Sequence, residues 1–296
     1  MRHLISLSLA DLSPLNPPPE NHLLVVLKSY FDGGNKVELG FDRISLAVVC
    51  GTAEQWKRFD TDWKKVRYRH SAPPLHTTDA VGLQNNFDVD KCWTNERVDA
   101  FIDSCVDVIE RHIAIPSGVP RKRARMGLFP ITLTIRFDEW LRARKDNPSI
   151  PNTIEESCAT ETLSFAFKWE TLIGAQHYEL YFDRGESFYG HVVNRFYHPQ
   201  ARIDVPLLQQ VVHLGKSDSS SVPALQMADL FAWGINHANR ERRLWHYRLH
   251  DLRWESRALN YEHLISPSPK ALEMTARWKL PKRRSSESVL LPIAKS

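Results

Sequence analysis

From Pro223 to Ala238 nearly every residue is apolar or small, with Ala224, Leu225, Met227, Ala228, Leu230, Phe231, Ala232, Gly234 and Ile235 covering most of a helical surface. A helix apolar on almost every side has to be enclosed, so the rest of the chain must supply a sheet and further helices to bury it. The exceptions, Gln226, Asp229, Trp233, Asn236 and His237, recur at steps of three and four and form a single stripe. An ionised carboxylate in such a setting is costly without a cation or several donors. The stripe around Asp229 therefore faces a positive group such as Arg184, a metal ion or a polar cleft.

The preceding segments supply the enclosure. Leu23–Phe31 reads as a buried strand stopped by Asp32, Gly33, Gly34 and Asn35, and Val37–Gly51 pairs with it as a hairpin. Ala53–Arg69 has helical spacing, with Trp56, Phe59 and Trp63 on one face. Pro73 and Pro74 predict an extended segment as far as Gly82. Further helices are expected over Thr94–Ile113, Thr153–Ile173 (with a Thr153 cap), Glu186–Tyr197 and Pro223 to about Arg243. Strands are expected at Ile131–Phe137, at His177–Phe182 and near Val211–Leu214. Such alternation predicts an α/β fold, a mixed sheet flanked by helices. Residues 1–22 read as a lead-in, 23–243 as the domain, and 244–296 as a basic, aromatic extension with a disordered tail beyond Pro281.

The charge is unevenly placed. Up to Asn239 the chain holds 26 Lys and Arg against 29 Asp and Glu, whereas Arg240–Arg284 holds 12 against 5. Basic side chains neutralise phosphates and aromatic faces stack on bases, so Arg240, Arg242, Arg243, Trp245 and Trp254 suit a nucleic-acid strand. The same mixture also suits a solvated extension whose aromatics fold back on the domain. Arg121, Lys122, Arg123 and Arg125 form a second basic run, in a Pro- and Gly-containing loop. Cys50, Cys92, Cys105 and Cys158 form no CxxC pair, which argues against a zinc cluster or disulfide framework and for a reducing cytoplasm. Leu4–Ala10 is too short for a signal peptide or a membrane span, so no membrane partner is expected. Nucleotide-cofactor, P-loop, serine-hydrolase and zinc-protease motifs are all missing.

Two acids stand at expected strand ends, Asp32 and Asp183, where side chains leave a packed sheet for a crevice. Either alone could simply cap its turn. With Asp229 they offer hard carboxylate oxygens suited to Mg²⁺ or Mn²⁺, and two such ions can support phosphodiester hydrolysis.

Several of these places resemble the family labelled domain of unknown function 3800, which is grouped with ribonuclease H-like folds. They are the first strand ending in Asp32, the segment Leu75-His76-Thr77-Thr78-Asp79, the strand ending at Asp183, and Gln226-Met227-Ala228-Asp229 after the Ser217–Ser221 loop. The last of these is similar to the family's Gln-x-x-Asp signature. The family usually carries Glu directly after its first Asp, and this chain has Gly33. The resemblance implies a ribonuclease H-like domain whose acids come from the first strand, a helix, the fourth strand and the last helix. Asp32, Asp183 and Asp229 match three of these, and Glu161 is the candidate on the helix. It further implies a metal-dependent nuclease in which His76 assists proton transfer or ligation, Asp79 adds a ligand, and Gln226 orients a ligand or water. The alternative is a non-catalytic nucleic-acid-binding or accessory module with a degenerate site.

Overall fold

The computed structural model describes residues 26–34, 43–113, 127–148, 150–158, 160, 176–186, 188–198, 206–237, 243–252 and 255–259. A six-stranded mixed sheet organises them, built from β1 (Val26–Gly34), β2 (Arg43–Thr52), β3 (Phe129–Arg136), β4 (His177–Asp183), β5 (Val211–Ser217) and β6 (Glu255–Leu259) in the order β5-β4-β1-β2-β3-β6. β2 pairs antiparallel with β1 and β3, while β4 runs parallel to β1, β5 to β4 and β6 to β3. Only β2 opposes the rest, so β1, β4 and β5 release their carboxyl ends at the same edge.

Strand alternation sorts the side chains between two helical layers. Phe31 of β1 and Phe182 of β4 stack with centroids 4.4 Å apart in a core that also holds Tyr178 and Leu180. Trp140 and Ala143 of α4 (Phe137–Asp146) cover that face, with Tyr189 and Val192 of α5 (Phe188–Tyr197). The opposite face is covered by α1 (Ala53–Arg69), α3 (Asn95–His112) and α6 (Pro223–Asn236), which enclose Ala47, Val49, Trp63, Phe101 and Phe231. Local chemistry sets the helix starts. Thr52 and Gln55 form a reciprocal capping box for α1, Thr94 caps α3, and Pro223 occupies the first turn of α6. As the apolar sequence of α6 demands, the helix is buried, lying across β1 and β2.

Four expectations need correction. β1 continues to Gly34, so Asp32 lies inside a paired strand opposite Ala47 rather than just beyond its end. The segment after Pro74 is extended only to His76, and Thr77–Gly82 forms the short helix α2. A proline restricts itself and its predecessor, and nothing two residues downstream. The last helix stops at Asn236 rather than near Arg243, where the His237 ring Nδ1–H turns back onto the Trp233 carbonyl at 2.8 Å.

The supposed extension from 244 also belongs to the folded body in part. Leu244–Asp251 forms α7 against α3 and α6, and Glu255–Leu259 adds β6 to the sheet edge. Its basic and aromatic groups are engaged by acids of α3. Trp245 is buried and donates its indole N–H to Asp99 at 2.9 Å, and Arg243 pairs with Asp99 at 3.4 Å. Arg248 reaches Asp103, Asp107 and Glu110. Arg243 and Trp245 therefore do not present themselves to a nucleic acid as the charge pattern suggested. Arg240, Arg242, Trp254, the Arg121–Arg125 run, Leu4–Ala10 and the tail lie outside the described residues. None of the four cysteines is in a disulfide, and among the described residues no helix is long and apolar enough to cross a membrane.

Candidate active site

The strict alternation of β4 buries Tyr178, Leu180 and Phe182 on one face and turns Glu179, Tyr181 and Asp183 to the other, which is the side of α6. Asp32, two residues beyond Tyr30 on the neighbouring strand, turns the same way. Asp229 lies on the face of α6 that closes over them. Asp32, Asp183 and Asp229, distant in sequence, thus line one cleft of about 170 Å³ together with Gly33, His76, Thr78, Ser219, Ala232, Trp233, Asn236 and His237.

Backbone and hydroxyl donors fix each carboxylate. Thr77 donates both its backbone N–H, at 2.6 Å, and its hydroxyl, at 2.7 Å, to one oxygen of Asp229. Asp183 accepts from the Ser219 N–H at 3.0 Å and the Gly185 N–H at 3.2 Å, so two loops converge on it. Asp32 accepts from the N–H of Gly33 at 2.9 Å. Among the described residues that line the cleft there is no lysine or arginine. Arg184, the obvious counter-charge for Asp229, is instead exposed and pairs with Asp218 at 3.7 Å. Lys216 donates to the Arg184 carbonyl at 3.1 Å.

Packing negative groups without a cation shifts their titration. Burial, followed by the charges of Asp229, Glu186 and Asp183, holds the Asp32 carboxyl well above the ordinary range, against a smaller opposing effect from the Gly33 N–H. Burial also raises Asp229, opposed by His76, by the two Thr77 donors and by a hydrogen bond from Asp32. Burial in one negatively charged cleft thus moves both carboxyl groups in the same direction. Glu186 is the acid that sequence reasoning missed. It is 8% exposed, its backbone N–H bonds the Asp183 carbonyl at 3.1 Å, and its charge acts on Asp32. Its spacing, three residues after a strand-end Asp and at the expected start of a helix, was the available signal.

The other predicted residues divide. His76 lines the cleft from its rim, with Nδ1 held 3.2 Å from Asp79. Asp79 is not among the lining residues, and its second oxygen accepts from Asn85 at 3.0 Å, so it orients His76 rather than joining the acids. Gln226 is wholly buried and does not line the cleft. Its carbonyl accepts from the Trp63 indole at 2.9 Å and the Leu75 N–H at 3.1 Å, and its amide donates to the Ser219 carbonyl at 2.7 Å. It cannot orient a ligand from there. Gln226 and Asp229 instead grip alternate backbone N–H groups, those of Leu75 and Thr77, which gives the Gln-x-x-Asp spacing a physical reason. Glu161 lies outside the described residues.

Among the described residues, no three His, Cys, Asp or Glu side chains stand as a ready-made metal-binding group. In kind the donors nevertheless fit a hard divalent cation, being carboxylate oxygens held in a cleft whose described lining has His76 and His237 but no lysine or arginine. The chain matches no protein-family model, no curated protein and no solved structure.

Proposed function

We propose that this chain is a divalent-metal-dependent phosphodiesterase acting on nucleic acid, a member of the domain of unknown function 3800 family with ribonuclease H-like architecture. The observation that carries the reading is that Asp32, Asp183 and Asp229, from β1, β4 and α6, line one cleft whose described lining holds no lysine or arginine. Asp32 and Asp183 would take the first-strand and fourth-strand places that the resemblance implies, and α6, although α7 follows it, would stand for its last helix.

Asp32, Asp183 and Asp229 would hold Mg²⁺ or Mn²⁺, which when bound supplies charge neutralisation of the phosphate and activation of water. The chain's own residues set the conditions for this. Thr77 and the Ser219 and Gly185 amides keep Asp229 and Asp183 in fixed orientations, so they need little reorganisation. Because Asp32 and Asp229 are both raised by burial, holding a cation would favour their ionised forms. Glu186 supplies a carboxylate near Asp32, which bears on the missing Glu after Asp32. His76, at the rim and oriented by Asp79, would pass a proton to a departing oxygen. A location in the reducing cytoplasm belongs to the same reading.

Gly33, and the lack of a ready-made metal group among the described residues, favour the second reading, an accessory module that binds without cutting. A panel of single- and double-stranded DNA and RNA, with Mg²⁺ and with Mn²⁺, separates the two. The hydrolytic reading expects cleavage by the wild type and a loss of about 10²–10³-fold, the order seen when one charge-stabilising group is removed, in Asp183→Asn. A wild type that binds these substrates and cleaves none establishes the module.

A further inference from the structure

We propose that the end of the cleft away from the acids is a subsite for an unpaired, amino-bearing nucleobase, so that the substrate is single-stranded nucleic acid. Only the phosphate end of this assignment rests on the hydrolytic reading above.

The wall at that end is built by α6. Asp229, Trp233, Asn236 and His237 follow one another at helical spacing and all line the cleft. With a rise of 1.5 Å per residue, Asn236 stands about 10 Å along the helix from Asp229, comparable to the reach from a phosphate across its sugar to the far edge of the base. The His237 ring lies nearly flat on Trp233, with centroids 4.0 Å apart and planes 14° from parallel. Its Nδ1–H is fixed on the Trp233 carbonyl at 2.8 Å, and Trp233 is backed by Trp245 at 5.6 Å. A rigid aromatic stack therefore forms the wall.

Beside it, the side-chain oxygen of Asn236 is buried and has no hydrogen-bond partner among the described residues. A buried acceptor left in this way calls for an N–H donor. A flat ring carrying an amino group at its edge answers both features, by stacking on the imidazole and donating to Asn236. Adenine, cytosine and guanine carry such a group, and thymine and uracil do not. In a duplex one N–H of that group is committed to its pair and both ring faces are covered by neighbouring bases, so only an unpaired base offers its face and its amino edge together, and a cleft of about 170 Å³ is small for a base pair.

The test is binding of fluorescently labelled octamers of deoxyadenosine, of thymidine and of an abasic backbone, read by anisotropy in Mg²⁺ with full-length Asp183→Asn protein. Adenosine is expected to bind about 10-fold more tightly than the abasic chain, with thymidine between them. Adding His237→Ala should bring adenosine to the abasic level. Adding Asn236→Ala should erase the difference between adenosine and thymidine while keeping both above abasic, and it reads the subsite even if loss of the imidazole prevents folding. Equal affinities for the three octamers, no binding of any, or preferences unchanged in Asn236→Ala would each overturn the subsite. Wild-type cleavage is scored separately. A protein that cleaves without base preference refutes the subsite alone, and one that shows the preferences yet cleaves nothing refutes the hydrolytic reading alone.

Discussion

At the scale of single residues, the most constrained group is the Asp32 carboxyl, because burial and three neighbouring acids all favour its protonated form. A carboxyl raised in the folded state binds its proton more tightly than in the unfolded chain. Its contribution to stability is complete below the ordinary Asp value of about 4 and is lost as pH climbs through the raised folded value. Asp229 is raised as well and adds in the same direction. The protein without divalent ions should accordingly melt at a lower temperature at pH 8 than at pH 5.5. Asp32→Asn, which keeps a donor for Asp229 and removes the charge, should flatten that dependence and raise Tm at pH 8 by ~3 °C. Differential scanning calorimetry in EDTA measures both, and a slope unaltered by the substitution would show that Asp32 is not the group responsible. Mn²⁺ should narrow the same gap by replacing the proton as the compensating charge.

At the scale of elements, Gln226 shows how a residue outside the cleft can set its shape. One side chain joins α1 through Trp63, the segment ahead of α2 through Leu75, and the loop after β5 through Ser219. Ser219 in turn donates to Asp183, while Thr77, two residues past Leu75, donates to Asp229. Gln226→Ala would leave two buried donors and one carbonyl unsatisfied, and should cost about 3 kcal/mol in urea unfolding. It should also reduce any cleavage by disturbing both acids at once. Gln226→Glu, which sets an ionisable carboxyl against the Ser219 carbonyl at a wholly buried position, should cost at least as much at pH 8. The burial of α6 and its polar stripe was legible in the sequence because helical periodicity is a local property. The role of Gln226 was not, because its partners lie 163 and 151 residues upstream. Asp79 was misjudged for a similar reason: three residues from His76 it is near in sequence, but α2 carries its carboxylate to Asn85.

At the scale of the whole molecule, sequence reading captured the alternation of strands and helices and the three acids, since each depends on its neighbours along the chain. It could not supply the pairing of β1 with β4, in which Val26 meets His177. It left two readings open for the region after Arg240, an external ligand for the positive charge or aromatics folded back on the domain, because the compensating acids stand on α3, distant in sequence. Trp245 seals that contact from within the core, so a chain ending at Asn239 loses the indole, the Arg248 pairs and strand β6 together. Such a truncation should unfold or aggregate, rather than fold normally and bind nucleic acid more weakly. Trp245→Ala isolates the packing component and should cost about 3–5 kcal/mol, the usual range for a buried tryptophan. A chain ending at Asn260 retains every element described and should keep the far-ultraviolet circular dichroism and the cooperative melt of the full chain. If it does so while its nucleic-acid affinity falls and loses its steep dependence on salt, the phosphate contacts lie beyond Asn260. A stable, cooperative fold in the chain ending at Asn239 would instead remove α7 and β6 from the folding unit and restore the external reading of their charge.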